Sequence, residues 1–416
     1  MIKRVPGTKD ILPKEAVYWQ KIEETARNTF SHYCYEEIRT PIIEEAALFN
    51  RSLGEFAEIV RKQMFLVKND SDTYCLRPEA TAAIARAYIE NNLDKTSGFI
   101  KFYYIAAMFR LERPQKGRLR QFHHIGAEAI GTGSPEIDIE IISLANRLLE
   151  NFRISDYTIQ LNSLGCIKDK GELVKTLREE FKGKLKNLCQ ECNIRFEHNI
   201  LRILDCKNEA CQKAVESIAL EDNHLCPDCR EHFSLVKSGL DSLGIKYDLM
   251  PHLVRGLDYY TRTVFEIKHP DLGAQDALGA GGRYDNLIKE LGGPDQGAIG
   301  FAFGVERLLL AARNKEQKDS KDLCYIIPLG EKAKAETLKL LDLLRKSGIC
   351  TDTDYENKSL KGAMRSANDL NAKIVLLLGD NELTKGTAML KDMASGEQKE
   401  INRPDLLNEI KKRLGK

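Results

Sequence analysis

No stretch of the 416-residue sequence is both long and apolar enough to cross a bilayer; a run such as Ile374 to Leu378 has only a strand's length. The opening residues MIKRVPGTKD hold no apolar core of a secretory signal, so a cytoplasmic location is expected. Net charge is almost absent too. With 63 Lys plus Arg against 62 Asp plus Glu, bulk attraction to nucleic acid is excluded, and any such contact must use local patches. A disulfide framework is also missing: eleven cysteines, an odd number scattered along a chain of this kind, argue for thiols or metal. What remains, 42% hydrophobic and 30% charged, is a globular composition, and the length calls for two or three domains.

The most informative stretch is Ile100 to Gly131, IKFYYIAAMFRLERPQKGRLRQFHHIGAEAIG. Each arm reads as a strand, and the connector RPQKGR supplies the Pro and Gly that turns require. Strand residues two apart share a face, so Arg110 and Glu112 point together, and Arg118, Arg120, His124 and Glu128 share a parity on the returning arm. A sheet face with several arginines and carboxylates is either a solvated surface or a site for an ionic ligand, because unpaired buried charge is too costly. Arginine suits phosphate: its planar guanidinium offers paired donors and stays charged.

Along the chain, apolar spacing predicts a helix from Ala16 to His32, a strand over CYEEIRTPII stopped at Pro41, and a helix from Pro135 to Phe152. Antiparallel strands mixed with helices, without regular βαβ alternation, indicate an α+β region. Residues 166–233 turn Lys/Glu-rich and helical, which suggests an inserted module, and strands return in LVRGLDYYTRTVFEIKH. From Lys321 the strands CYIIP, ICTDTDY and KIVLLLGD alternate with helices, with Gly348 placed as a helix C-cap, giving a small α/β domain. That segment holds 18 Lys plus Arg and 15 Asp plus Glu, a net of +3. The expected domains are 1–165 with 234–320, the insertion 166–233, and 321–416.

Other segments concentrate charge and glycine. GAGGRYD (279–285) reads as a glycine-rich loop that another group can approach, followed by Arg283 and Tyr284. LVRGLDYYTRTVFE (253–266) crowds Arg255, Asp258, Tyr259 and Tyr260 beside an apolar strand, and GFAFGVERLLL (300–310) sets Glu306 and Arg307 at a helix start.

These segments, with LRPEATAAI (76–84) and FRLERPQKGRLRQFHHIGAE (109–128), resemble in order and spacing the histidyl-tRNA synthetases, a family of class II aminoacyl-tRNA synthetases. RVPGTKDILP and GTAMLKDMASGEQ extend the resemblance over essentially the whole chain. It implies a catalytic domain on an antiparallel sheet, a helical insertion and a C-terminal anticodon-binding domain. It implies also ATP, Mg²⁺, L-histidine and tRNA(His) as partners, no membrane, and a homodimer with IRTPII near the interface. By the same resemblance Arg110 and Arg255 hold the α-phosphate as the catalytic cations, Arg118 and Arg307 hold the outer phosphates, and Glu112 lies near the nucleotide. Glu79 and Thr81 face the α-ammonium of histidine. Glu128 and Tyr260 face its imidazole, with Tyr259 and Tyr284 in the pocket and Arg113 and Gln115 toward the tRNA acceptor end.

One position departs from the family pattern. His124 stands where a glutamine is usual, near the substrate ammonium, so its protonation is expected to weaken histidine binding below neutrality. Cys189-x-x-Cys192 and Cys226-x-x-Cys229, with Cys206 and Cys211 between them, have spacing suited to one tetrahedral structural zinc. The family's chemistry needs no metal there, so free buried thiols are preferred. The rival to a ligase is the synthetase-like regulatory subunit of ATP phosphoribosyltransferase, which generally lacks the C-terminal domain and erodes the ATP-binding arginines; both are present here.

Overall fold

The computed structural model describes residues 2–54, 57–68, 72–113, 117–218, 220, 224–312 and 322–415. Pro13, whose missing N–H costs nothing in a first turn, starts α1 (Pro13–His32) slightly ahead of the expected Ala16. CYEEIRTPII is not one strand. β1 (Glu36–Glu37) stops before Pro41, which cannot donate to a ladder, and β2 (Ile43–Glu45) joins a different sheet. α2 (Ala46–Leu53) follows, and β3 (Phe65–Lys68) and β4 (Thr73–Leu76) complete that small sheet in the order β2-β4-β3. After α3 (Thr81–Glu90) and α4 (Leu93–Ser97) come β5 (Ile100–Phe109) and β6 (Gln121–Ile130), paired antiparallel from Ile100–Ile130 to Phe109–Gln121.

α5 (Pro135–Asn151) and β7 (Thr158–Ser163) lead to the insertion, whose helices are α6 (Ile167–Lys182), α7 (Gln190–His198) and α8 (Glu209–Glu216). Leu177, Phe181, Ile203 and Val215 belong to an apolar cluster of its own. The chain returns through α9 (Pro227–Ser242), where Phe233, Val236 and Leu240 already pack into the main core. β8 (Asp248–Leu249), β9 (Thr261–Lys268), β10 (Ala277–Arg283), α10 (Leu287–Glu290), β11 (Ala298–Gly304) and α11 (Val305–Ala311) complete a first compact unit, residues 1–315. GAGGRYD is therefore largely strand, not loop.

The large sheet has the order β1-β5-β6-β11-β10-β9-β7-β8, antiparallel except for the edge pairs β1–β5 and β7–β8. Its two faces differ in bulk. Ile125 and Ala127 of β6, Ile299, Phe301 and Phe303 of β11, and Phe265 and Ile267 of β9 join the core formed with α1, α5, α9 and α11. The alternate residues on the opposite face, Gly126, Gly300, Ala302 and Gly304, are small and leave a hollow.

One charged network is sealed beneath the sheet. Arg283, fully buried, donates to Asp138 Oδ1 (2.6 Å), Asp285 Oδ1 (2.8 Å) and the carbonyls of Thr132 and Ser134, while Asp138 Oδ2 lies 2.9 Å from His232. It ties α5 and α9 to the end of β10.

The second unit, residues 316–416, contains β12 (Cys324–Pro328), α12 (Glu331–Lys346), β13 (Thr351–Thr353), α13 (Leu360–Asp369), β14 (Ile374–Leu378), α14 (Asp380–Lys385), β15 (Thr387–Asp392), β16 (Gln398–Asn402) and α15 (Arg403–Leu414). The strand order is β13-β12-β14-β15-β16, parallel across the first three strands and antiparallel beyond. Ile326, Leu376 and Leu390 pack with α12 and α15, whereas Tyr325, Ile327 and Val375 meet Ala363 and Ala367 of α13. Gly348, at φ +75° just past the C-cap Ser347, turns the chain out of α12. Among the described residues no helix is long and apolar enough to cross a membrane.

Removing one carboxylate from a buried ion network leaves charge uncompensated. Asp138→Ala should lower unfolding stability by on the order of 3 kcal/mol, read from urea denaturation at pH 7; an unchanged midpoint would refute the structural role.

Candidate active site

The hollow on the sparsely packed face is a cavity of about 200 Å³ lined from five directions. The start of α3 brings Glu79 and Thr81, the chain after β5 brings Arg110 and Glu112, the segment before β6 brings Arg118, the loop before β9 brings Arg255, Tyr259 and Tyr260, and α11 brings Arg307. Small residues form the floor. A Cβ on Gly300 would stand 1.7 Å from Glu128 Oε2, so only glycine opposite Glu128 lets that carboxylate lie under β11.

One end of the cavity is cationic. Arg118 Nη1 lies 3.0 Å from Glu112 Oε2 and Arg110 Nη1 lies 3.9 Å from Oε1, so a single carboxylate serves two guanidiniums. Arg110 is steered by its Nε bond to the Pro78 carbonyl (2.9 Å) and by the Phe122 ring 5.3 Å away. Arg307 donates to the carbonyls of Gly117 (3.2 Å) and Ala277 (2.6 Å). Burial, and then mutual repulsion with Arg118, lowers both Arg110 and Arg307 from the ordinary guanidinium value. Arg255 Nη1 pairs with Glu266 Oε1 at 2.6 Å, while its Nε is buried without a hydrogen bond. Four guanidiniums around two carboxylates leave positive charge for an anion to neutralise.

The other end is a buried carboxyl and phenol set. Glu79 accepts from the N–H groups of Thr81 (2.6 Å) and Ala82 (3.0 Å), which also caps the start of α3. Thr81 Oγ1 donates to Glu128 Oε1 (2.7 Å) and Tyr284 Oη to Glu128 Oε2 (2.5 Å). The Tyr259 ring packs 4.8 Å from Tyr260 and 5.6 Å from Tyr284. Burial pushes the Glu128 carboxyl up to about 8 and the Tyr260 hydroxyl up to about 12.

The sequence of this chain matches the family described as histidyl-tRNA synthetase over residues 7–308, and the anticodon binding domain over 323–413. The histidine–tRNA ligase of Natranaerobius thermophilus is 44% identical over the full length of both chains, and that of Solibacter usitatus 45% identical over 98% of each. The apo histidyl-tRNA synthetase of S. aureus superposes with a TM-score of 0.83 at 34% identity, covering 99% of this chain and all of the other. The chain belongs to the histidyl-tRNA synthetase family.

Twelve residues expected from the sequence meet in or under this cavity. Glu79, Thr81, Arg110, Glu112, Arg118, His124, Arg255, Tyr259, Tyr260, Tyr284 and Arg307 line it, and Glu128 lies just below. Arg120 leaves the group despite its parity, because it binds the Pro6 carbonyl and its stem packs on Gly7. Arg113 is exposed outside the cavity, and Gln115 lies outside the described residues. Glu266 was not singled out from the sequence, and Glu306, noted only as a charge at a helix start, lines the cavity and accepts from the His123 N–H at 3.1 Å. Both stand at the edges of the family segments, where only long-range pairing gives them partners.

Two expectations need correction. Burial, followed by Arg110 and Arg307, pushes the His124 imidazole down to about 3, so it is neutral across the whole range in which loss of histidine binding was expected. The cysteines do not form one site. Cys189 and Cys192 gather with Cys206 and Cys211, whereas Cys226 and Cys229 gather with Cys166 and Asp169. Cys166-x-x-Asp169 repeats the spacing of the two Cys-x-x-Cys pairs, a signal present in the sequence but disguised by the carboxylate.

The raised Glu128 value sets a pH dependence. Between the unfolded value of about 4.3 and the folded value of about 8, the folded chain keeps a proton the unfolded chain has lost. Stability contributed by this group is therefore full below that window and is lost as pH rises through it. Glu128→Gln should flatten the decline in thermal midpoint between pH 5 and pH 8; equal slopes in the two proteins would count against it.

Proposed function

We propose that this chain activates L-histidine with ATP, releasing pyrophosphate, and transfers the histidyl group to the terminal ribose of tRNA(His). The observation that carries this reading is the polarity of one cavity, with guanidiniums at one end and a sealed carboxyl–phenol set at the other. A histidine carboxylate oxygen attacks the α-phosphorus, and the bond to the bridging oxygen of pyrophosphate breaks. A ribose hydroxyl then attacks the acyl carbon, and AMP leaves.

In this reading Arg110 and Arg255 face the α-phosphate, where negative charge builds in the transition state. Arg118 and Arg307 take the outer phosphates. Glu79 and Thr81 accept the α-ammonium, and neutral His124 adds an acceptor where the family usually has an amide. Glu128 accepts from one imidazole nitrogen, whose N–H would draw the raised carboxyl back to its charged form, and the Tyr260 hydroxyl serves the other. Tyr259 and Tyr284 wall the pocket. Glu112, ion-paired to Arg118 and facing Arg110, lies near the nucleotide, and an Mg²⁺ carried on the phosphates would neutralise phosphate charge. By the resemblance, Arg113 and Gln115 are assigned to contact with the acceptor end of the tRNA.

A homodimer and a cytoplasmic location complete the proposal. Ile42, Ile43, Leu66 and Val67, on and beside the small sheet, are all about half exposed, an apolar surface that a second copy would cover. The regulatory-subunit alternative is disfavoured by the four arginines converging in one cavity.

Histidine-dependent ATP–pyrophosphate exchange followed by charging of tRNA(His) tests the whole reading; absence of exchange would leave the regulatory role. Arg255→Ala should keep its circular dichroism spectrum, since Lys268 still lies 3.8 Å from Glu266, and lose exchange activity by ~10²-fold or more. Near-normal turnover would sink the assignment. His124→Gln should change the KM for histidine by the same factor at pH 6 and pH 8, since His124 stays neutral; a ratio that drifts with pH would show that it titrates.

A further inference from the structure

Seven cysteines and one aspartate in and beside the insertion are arranged in two sets of four. In each set the candidate ligand atoms all lie within 4.8 Å of one another: Cys189, Cys192, Cys206 and Cys211 in one, Cys166, Asp169, Cys226 and Cys229 in the other. Tetrahedral zinc holds thiolate sulfurs about 3.8 Å apart, given Zn–S bonds of about 2.3 Å, and the Cys189 and Cys206 sulfurs are 4.0 Å apart.

Both sets are built on pairs of helix N-termini. Cys189 is the N-cap of α7 with Cys192 in its first turn, and Cys211 lies in the first turn of α8. Cys166 and Cys226 are the N-caps of α6 and α9, with Asp169 and Cys229 one turn on. Two positive helix ends brought together repel unless negative charge lies between them, and thiolates supply it. Backbone donors already face the sulfurs: the Cys192 N–H points at Cys189 Sγ (3.4 Å) and the Cys189 N–H at Cys211 Sγ (3.2 Å), contacts of the kind that orient metal ligands.

Asp169 is the second independent sign. It is 97% buried by its 3% exposure, it accepts from the Cys166 N–H at 3.2 Å, and among the described residues no basic side chain forms an ion pair with it. Gly165 is needed for its placement, since a Cβ there would stand 2.3 Å from Asp169 Cβ. A buried carboxylate among three thiols calls for a cation.

We propose that the insertion binds two structural zinc ions, one in a four-cysteine site and one in a site of three cysteines and Asp169. The first cross-links α7 to α8. The second joins the point where the chain enters the insertion to the point where it leaves, closing a loop whose entropy would otherwise oppose its order. The adjoining residue, Lys170, donates to the carbonyls of Asp258 and Tyr260 at 2.9 Å, and Asn199 donates to Asp258, so the stapled insertion also braces the loop that lines the cavity.

Elemental analysis of full-length protein purified without chelator or affinity metal should give two equivalents of zinc per chain. Cys206→Ser and Cys226→Ser should each lose one equivalent, and Cys350→Ser, an exposed cysteine of the C-terminal unit, none. If either variant proves insoluble, mercurial titration of the wild-type protein with a chromogenic chelator should release two equivalents. Protein from cobalt-supplemented cells should show the visible bands of tetrahedral cobalt thiolate. One equivalent or none, iron in place of zinc, or loss of titratable thiols to disulfides would each overturn the proposal. None of these readouts depends on ligase activity.

Discussion

The central sheet is densely packed over one face and carries small residues along the middle of the other, between side chains such as Tyr104, Met108 and Val264 that join a second core, and the rest of the catalytic unit follows from that constraint. Ile125, Phe301, Phe303 and Phe265 bury one face against helices, which fixes the register of β6, β11, β10 and β9 because a slip of one residue would turn those side chains into the cavity. With the register fixed, Gly126, Gly300, Ala302 and Gly304 fall on the other face. Room for a ligand is thus a by-product of how the core is packed. Gly300 adds a second consequence, since its missing Cβ is what lets Glu128 lie beneath the adjacent strand.

Burial then sorts the charges in the cavity. Desolvation drives Glu128 toward its protonated form and His124 toward its neutral form, two shifts of opposite direction in pKa with one cause. Guanidinium resists the same pressure, because its ordinary value lies so far above neutrality that a lowered one is still charged. The cavity is therefore cationic where Arg110, Arg118, Arg255 and Arg307 converge and close to neutral around Glu128 and His124. That asymmetry gives a ligand carrying both phosphates and an amino acid a single favourable orientation.

The two arms around residues 110–120 were legible because strand periodicity and turn composition are local properties, and the parity that joins His124 to Glu128 holds in the structure. The same parity failed for Arg120. Its stem packs on Gly7 and its guanidinium reaches Pro6, more than a hundred residues away in sequence, and no local pattern announces such a partner. Near Pro41 the failure was different: a β-rich composition was visible, but which sheet each half would join depended on strands not adjacent in sequence. The glycines of GAGGRYD suggested a loop because strands rarely tolerate so many. Neighbouring Phe301, Phe303 and Phe265 side chains fill the space above Gly279 and Gly281 and hold them in a ladder.

By itself the sequence determined the family, the residue types available to the cavity and those elements with a clear local period, because these depend on periodicity and motif order along the chain. Which charges would be neutralised by burial, and which carboxylate each arginine would find, only the tertiary structure decided. The cysteines draw that line most sharply. Spacing marks each pair, but the fold of the insertion alone selects Cys206 and Cys211 for one group and Cys166 and Asp169 for the other. Ligand sets are chosen by proximity in space, and proximity in sequence constrains only half of each.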